Sequence, residues 1–152
     1  MSNLKLKLFI CTSITHKLGK PDEIAKLQGL VETIDRTAQQ RNAVTWCAFR
    51  EEGWKGEETP TVYVPRDFGW AKKCDGAILI PEDSWGVRIE EGWLSALEKP
   101  MLRLFENEVV HRTGIEEHLG ILSRVFDGVF HTTQDIEGHV NEFIDFLEGL
   151  KI

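Results

Sequence analysis

Glu90 is the acidic residue of this sequence best placed to do chemistry. It follows the apolar segment 76–80 and lies near the start of a helix predicted over 87–97. The end of a strand that leads into a helix is where open α/β sheets bind small molecules. The positive end of the helix dipole there favours an ionised carboxylate by roughly 0.3–1 kcal/mol. Such a carboxylate can attack a sugar carbon or stabilise a developing oxocarbenium ion.

Two simpler interpretations compete with a catalytic one. Glu90 can act only as a favourable charge at a helix N-terminus, and Asp67, which follows Arg66, can be a solvated charge on an exposed helix. Glu91 is adjacent to Glu90, and neighbouring helical side chains point about 100° apart. We therefore expect one of these two glutamates to face solvent.

Other residue types with catalytic or ligand-binding potential show weaker patterns. The five histidines lack the spacing and the third ligand of a zinc site, and the three cysteines predict reduced thiols rather than disulfides. No glycine fingerprint for a dinucleotide is present. Of the five tryptophans, Trp46, Trp70 and Trp93 are predicted to pack, whereas Trp85 and Trp54 are predicted on loops, where they can stack on a base.

The elements that position these residues alternate between strand and helix. The loop 50–60, with two glycines among charges, is a candidate lid, and Asp22 is the expected N-cap of the first helix. Alternation of this kind predicts a flavodoxin-like, Rossmann-like α/β fold of about five parallel strands with helices on both faces. Strands are predicted at 4–14, 44–49, 76–80, 101–105 and 125–130, and helices at 21–41, 61–74, 87–97, 115–123 and 135–150.

Length and charge limit the classes of function. The 152 residues suffice for one domain, 1–152, and a net charge of −7 without a basic stripe argues against a nucleic acid polymer as partner. The apolar run at the N-terminus is too short to span a membrane and lacks a signal-peptide pattern. We expect a cytoplasmic protein that binds a small molecule.

Five segments together resemble the nucleoside 2-deoxyribosyltransferase superfamily, and within it the nucleoside 5′-monophosphate N-glycosidases. The block GVRIEEG (86–92) followed by ALEKP (96–100) is similar to the nucleophile motif and the Lys-Pro that precedes the next strand in those families. LFICTSI (8–14) resembles their first strand and Cys-Gly-Ser-Ile loop. RDFGW (66–70) resembles their Arg-Asp-x-x-Trp helix, and DSWG (83–86) their Pro-Ser-Leu-Gly.

The resemblance implies a role for each matching residue. Glu90 would be the nucleophile on C1′, and Asp67 the acid near the base and ribose. Ser84 and Gly86 would bind the 5′ end of the substrate, and Ser13 and Ile14 would line the same pocket. No metal or organic cofactor is implied. The resembling families form homo-oligomers that share residues between subunits, so a homodimer or higher homo-oligomer is expected, with 112–116 as the segment to inspect.

Ser84 favours a phosphorylated substrate. The transferases hold an acid at this position for a free 5′-hydroxyl, whereas the nucleotide hydrolases hold a serine, which does not repel a phosphate dianion. The first loop departs from the hydrolases, because it reads TSIT (12–15) where they have a glycine and an arginine. Lys17 or Lys20 would then have to replace the charge of that arginine.

The sequence therefore predicts hydrolysis of the N-glycosidic bond of a nucleoside 5′-monophosphate through Glu90. A 2-deoxyribosyltransferase acting on free nucleosides is the first alternative. A non-catalytic nucleotide-binding module and a TIR-like nicotinamide nucleotide hydrolase are the others, although Ser84 and the Lys-Pro at 99–100 argue against the last.

Overall fold

A computed structural model of the chain describes residues 5–56, 58–82 and 84–151. The strands form one parallel sheet in the order β2-β1-β3-β4-β5. The start of the predicted first strand, at Leu4, lies outside the described residues, as does Asp83. The predicted flavodoxin-like α/β fold is confirmed.

The described helices and strands alternate along the chain. Short 3₁₀ turns lie at Thr15–Lys17 and Leu119–Ile121. The strands are β1 Lys7–Cys11, β2 Val44–Cys47, β3 Gly76–Leu79, β4 Met101–Glu106 and β5 Val125–Phe130, and the helices are α1 Pro21–Gln40, α2 Ala48–Glu51, α3 Pro60–Lys73, α4 Trp85–Ala96, α5 Gly114–His118 and α6 Thr133–Gly149.

The sheet is covered on both faces because its strands are apolar on both sides. Helices α1 and α6 pack on one face, where Val31, Ile34 and Val140 are fully buried. Helices α3 and α4 pack on the other, around Phe9 and Leu94. Helices α1, α4 and α6 each bury one apolar stripe, as expected from the helical period of 3.6 residues.

Several predicted element ends differ from the structure. Asp22 is not the N-cap of α1, because Pro21 already occupies the first helical position and Lys20 precedes it. Strand β2 ends at Cys47, where the chain turns into α2. Helix α3 begins at Pro60, so Pro65 lies inside the helix rather than in its first turn.

The strand order places a change of direction between β1 and β3. The chain leaves β1 towards β2 on one side and leaves β3 towards β4 on the other, so the loops after β1 and β3 separate at the carboxyl edge of the sheet. Ligands of open α/β sheets bind in this crevice. Within the described part of the chain, no helix is long and apolar enough to cross a membrane.

Candidate active site

A cleft of about 380 Å³ opens at the carboxyl edge of the sheet, between the loop after β1 and the start of α4. We call it the Glu90 cleft. It contains six of the seven predicted site residues, which come from three separate parts of the sequence. Its lining comprises Thr12, Ser13, Ile14, Thr15, Leu18, Ala48, Phe49, Glu52, Gly56, Glu58, Pro60, Tyr63, Asp67, Ser84, Gly86 and Glu90.

Glu90 lines this cleft from the first half of α4 and is only partly accessible to solvent. Desolvation is the main cause that raises its pKa, from an ordinary 4.5 to about 8, and the charge of Asp67 raises it further. Such a carboxyl is mostly protonated at neutral pH in the empty cleft. A strongly perturbed acid in a cleft is the electrostatic pattern of a functional site.

Cys11 contacts Glu90 from the last position of β1. Its thiol is buried, and burial together with the Glu90 charge raises its pKa well above the ordinary value. The thiol therefore stays protonated and donates a hydrogen bond to the Glu90 carboxylate, which lowers the pKa of Glu90. Sequence reasoning did not assign this role to Cys11, although the cysteine belongs to the matched first-loop motif.

Asp67 lies in α3 and is buried rather than solvated, so the simpler interpretation of this residue is wrong. Arg66 donates from Nε to Asp67 Oδ1 at 3.0 Å. Desolvation raises the pKa of Asp67, and the hydrogen bond and charge of Arg66 oppose that rise. The result is an acid that Arg66 holds in one orientation beside the cleft.

Arg66 also binds the loop that precedes α3. Its Nη2 donates to Glu52 at 2.6 Å, and its Nη1 donates to Glu58. Both glutamates line the Glu90 cleft, as does Gly56. Sequence reasoning predicted a lid over 50–60 but did not single out these glutamates, since acids in a loop ordinarily indicate solvated charge.

The predicted 5′-end residues lie together in the cleft. Ser13, Ile14, Ser84 and Gly86 all line it, and the two serines are buried. Ser84 is the N-cap of α4, where its side chain accepts a hydrogen bond from the Val87 amide at 3.5 Å. The structure thus brings these residues together, while their roles toward a substrate stay predictions.

Trp85 does not line the cleft. It is the first residue of α4 rather than a loop residue, and 77% of it is exposed. The Arg88 guanidinium lies 5.4 Å from the centre of its ring. Trp54, the second loop tryptophan, is partly buried against the core on the α1 face.

Neither lysine near the first loop reaches the cleft. Lys17 pairs with Glu82 at 2.8 Å and lines a cavity on the other side of the loop after β3, while Lys20 pairs with Glu23 at 3.3 Å. Among residues 5–56, 58–82 and 84–151, no lysine, arginine or histidine lines the Glu90 cleft. The described lining carries four carboxylates, those of Glu52, Glu58, Asp67 and Glu90.

Glu91 does not face solvent, so the expectation of one exposed glutamate is wrong. It points to the sheet, is 3% exposed, and accepts a hydrogen bond from Arg103 at 2.9 Å. Because neighbouring helical side chains point about 100° apart, Glu90 lines the cleft while Glu91 is buried against the sheet. The sequence contained one signal for this burial. Arg103 lies inside an apolar strand segment, and a buried arginine there indicates a buried acidic partner.

Within the described ranges, no group of three histidine, cysteine, aspartate or glutamate side chains is arranged to hold a metal ion. His111 instead lies 3.3 Å from Asp127, and His139 contacts the Val129 carbonyl at 2.9 Å.

The fold is a parallel α/β sheet with an acidic cleft at its carboxyl edge, beside α4. No family model matches the sequence, and no curated protein matches it either. Solved structures do match. CMP N-glycosidase BcmB of Clostridium botulinum is similar with a TM-score of 0.64 and 18% identity, over 90% of this chain and 98% of that one.

Two further structures share the fold. BlsM matches with a TM-score of 0.62 and 21% identity, over 93% of each chain. The 2-deoxyribosyltransferase of Bacillus psychrosaccharolyticus matches with a TM-score of 0.55 and 15% identity, over 86% of this chain and 90% of that one. The resemblance predicted from the motifs is confirmed at the level of the fold.

Proposed function

We propose that this protein hydrolyses the N-glycosidic bond of a nucleoside 5′-monophosphate and releases free base and (deoxy)ribose 5-phosphate. The observation that carries the proposal is the joint position of Glu90 and Asp67 in one cleft, each with a raised pKa. Enzymes that cleave glycosidic bonds pair two carboxyl groups in this way. The fold shared with a CMP N-glycosidase supports the same chemistry.

The reaction follows from the two acids. Ionised Glu90 attacks C1′, the bond between C1′ and the base nitrogen breaks, and protonated Asp67 gives its proton to the departing base. Water then attacks C1′ of the glycosyl ester, Asp67 accepts the proton of that water, and Glu90 leaves as a carboxylate. In the empty cleft the proton lies mainly on Glu90, whose pKa is raised to about 8. The attack therefore uses the form of the protein in which Glu90 is ionised and Asp67, whose pKa burial also raises, holds the proton.

Hydroxyl groups and a helix start support binding of the 5′-phosphate. Ser13 and Ser84 line the cleft, and Ser84 caps the 12-residue helix α4. Helix N-termini attract anions through their free amides and dipole. A phosphate would therefore lie at the start of α4, with its sugar directed toward Glu90.

A second candidate is a 2-deoxyribosyltransferase that uses free nucleosides. The cleft lining favours it, because the described lining has four carboxylates and no basic side chain. Arg66 binds three of these carboxylates and offsets one charge, so the lining remains acidic overall. It repels a phosphate dianion but not an uncharged nucleoside. A second free base would then replace water in the step that releases the sugar from Glu90.

Base release by the parent protein and by Glu90→Gln tests both functions. Each protein is incubated with ribo- and deoxyribonucleosides, their 5′-monophosphates and NAD, and free base is followed by chromatography. Release from monophosphates by the parent alone supports the hydrolase. Release from nucleosides only with an added acceptor base supports the transferase, and release of nicotinamide supports a TIR-like activity. No release by a folded parent overturns the enzymatic proposal and favours a binding module.

We further propose that the protein is cytoplasmic and a homodimer or higher homo-oligomer. Exposed apolar side chains in the segment after β4, among them Val110 and Ile115, support an interface near 112–116. Sedimentation at two protein concentrations tests the assembly. A monomer at both concentrations overturns it.

A further inference from the structure

A buried polar cluster lies behind α4, on the side away from the Glu90 cleft. Its centre is Arg103 of β4, whose side chain is only 4% exposed. The guanidinium donates from Nη1 to Glu91 at 2.9 Å and to the Glu116 carbonyl at 2.7 Å. It also binds both Asp127 carboxylate oxygens, at 2.7 and 3.0 Å.

Stability alone does not account for a charged pair at this place. Glu91 and Arg103 lie between α4 and an otherwise apolar strand, and both are 3% exposed. Removing two charges from water is costly, and apolar residues of similar volume often serve as well or better. Buried ion pairs can instead select one arrangement of the elements that they join.

The pair joins the helix that carries Glu90 to the centre of the sheet. Glu91 follows Glu90 directly, so a rotation of α4 that moves one carboxylate moves the other by the same angle. The bond from Arg103 fixes Glu91 on the sheet side, which leaves Glu90 on the cleft side beside Cys11 and Asp67. Ser84 fixes the start of the same helix through its N-cap.

We infer that Glu91 and Arg103 are positioning residues that set the direction in which Glu90 enters the cleft. The inference rests on the proposed function insofar as Glu90 is the reacting group. In this role the length of the Glu91 side chain matters, because its carboxylate must span the gap between α4 and β4 to reach Arg103. Misplacement of a reacting group by about 1 Å can lower a rate by about 100-fold.

Two substitutions of Glu91 separate reach from charge. Glu91→Gln keeps the length of the side chain and an oxygen that accepts from Arg103, but it removes the charge. Glu91→Asp keeps the charge and shortens the side chain by one methylene group. We expect kcat of the Gln variant to stay within about threefold of the parent, and kcat of the Asp variant to fall about 10- to 100-fold with KM nearly unchanged.

A structural role alone predicts a different result. Val140→Ala removes fully buried volume on the opposite face of the sheet, and so serves as a control for loss of stability. Thermal unfolding of all variants is recorded, and rates are measured well below the lowest midpoint. If kcat follows stability across the set, or if the Asp variant is the more active of the two, the inference is overturned.

A measurement that needs no substrate separates the test of the positioning role from the test of the proposed function. The Glu90 carboxyl is titrated by NMR in protein with ¹³C-labelled glutamate. A rotation of α4 exposes Glu90, so the Asp variant is expected to titrate at lower pH than the parent, and the Gln variant close to the parent. This pattern in a parent that cleaves no substrate rejects the proposed function and retains the positioning role. Identical titration in all three proteins overturns the positioning role.

A charge-neutral replacement of the pair adds a second check. The double variant Glu91→Leu, Arg103→Met removes one charge of each sign. Asp127 loses its bond with Arg103, but its side chain is 28% exposed and lies 3.3 Å from His111, so the net electrostatic effect on Glu90 is small compared with that of either single change. We expect it to fold and to show the lower kcat and the lower Glu90 titration of the Asp variant. Parental values for both quantities contradict the inference.

Discussion

Arg66 and Asp67 are neighbours in α3, and the Nε atom of the first donates to Oδ1 of the second at 3.0 Å. The same guanidinium holds Glu52 and Glu58 and lies 5.3 Å from the centre of the Trp46 ring. One partly buried cation therefore organises three of the four acids in the cleft. Glu90 is the exception.

Removal of this cation should change how Asp67 titrates. Arg66→Met takes away the interaction that lowers the pKa of Asp67, so the pKa rises. A general acid with a higher pKa stays protonated to higher pH. The decline in the rate of base release at high pH should therefore begin at a higher pH. The pH profile of kcat measures this shift.

Arg36→Met is the matched control for Arg66→Met. Arg36 pairs with Glu137 at 3.0 Å between α1 and α6, on the opposite face of the sheet. Its substitution should leave the profile in place. A decline that begins at the same pH in Arg66→Met as in the parent would show that Asp67 is not the acid.

The thiol of Cys11 should tune the pKa of Glu90, the proposed nucleophile. Cys11→Ala removes the hydrogen bond that lowers the pKa of Glu90, so that pKa rises above its value of about 8. The limb on which kcat/KM increases with pH, as Glu90 ionises, then shifts to higher pH. Steady-state rates of base release between about pH 6 and 10 record the shift.

Cys74→Ala controls for the loss of a buried thiol. Cys74 is 1% exposed and donates to the Ala71 carbonyl at 3.3 Å, without a hydrogen bond to Glu90 among the described contacts. Equal shifts in the two variants would attribute the effect to packing rather than to the bond with Glu90.

The raised pKa of Glu90 also predicts how stability varies with pH. Between the unfolded value near 4.5 and the folded value of about 8, the folded chain keeps a proton that the unfolded chain releases. The free energy of unfolding therefore falls as pH rises through this window, by up to about 1.4 kcal/mol per pH unit. Glu90→Gln does not lose stability in this way. The difference in the free energy of unfolding between this variant and the parent therefore grows up to about pH 8 and is constant above it.

Urea unfolding at several pH values measures that difference. Glu142→Gln, at an exposed position of α6, is the control substitution. A difference between Glu90→Gln and the parent that does not vary with pH would mean that Glu90 is ionised in the empty cleft.

A cation placed in the first loop should shift substrate choice. Thr15 is exposed and lines the cleft near the serines assigned to the 5′ end. Thr15→Arg supplies a donor for phosphate, and one charge-assisted hydrogen bond corresponds to about tenfold. We expect the ratio of kcat/KM for monophosphate over nucleoside to rise by about that factor. Thr15→Gln, which has no charge, should leave the ratio unchanged, and no rise with arginine would place the 5′ end elsewhere.

The sequence was sufficient for the fold and for six of the residues that line the cleft. The apolar period predicted five parallel strands, because fully buried strands leave continuous apolar runs. The alternation of strands and helices predicted that the loops after the strands share the carboxyl edge, and the motif around Glu90 indicated one acid at that edge. Neither inference needs knowledge of individual contacts.

Contacts between distant side chains were beyond prediction. Trp85 belongs to α4 because the helix begins two residues before its predicted start, and Glu91 is buried because Arg103 binds it on the sheet side. The partners of Lys17 depend on where the loop after β3 passes. Alternatives of this kind differ by small free energies that tertiary packing decides.

The stacking of Trp46 on Trp70 has an optical consequence. The two indoles lie 5.0 Å apart with an 11° angle between their planes, and the Arg66 guanidinium covers the first of them. A ligand that engages Asp67 also alters the charge next to this pair. The protein thus carries an intrinsic fluorophore that Arg66 connects to the acids of the cleft, and emission excited at the tryptophan band can report occupancy without a label.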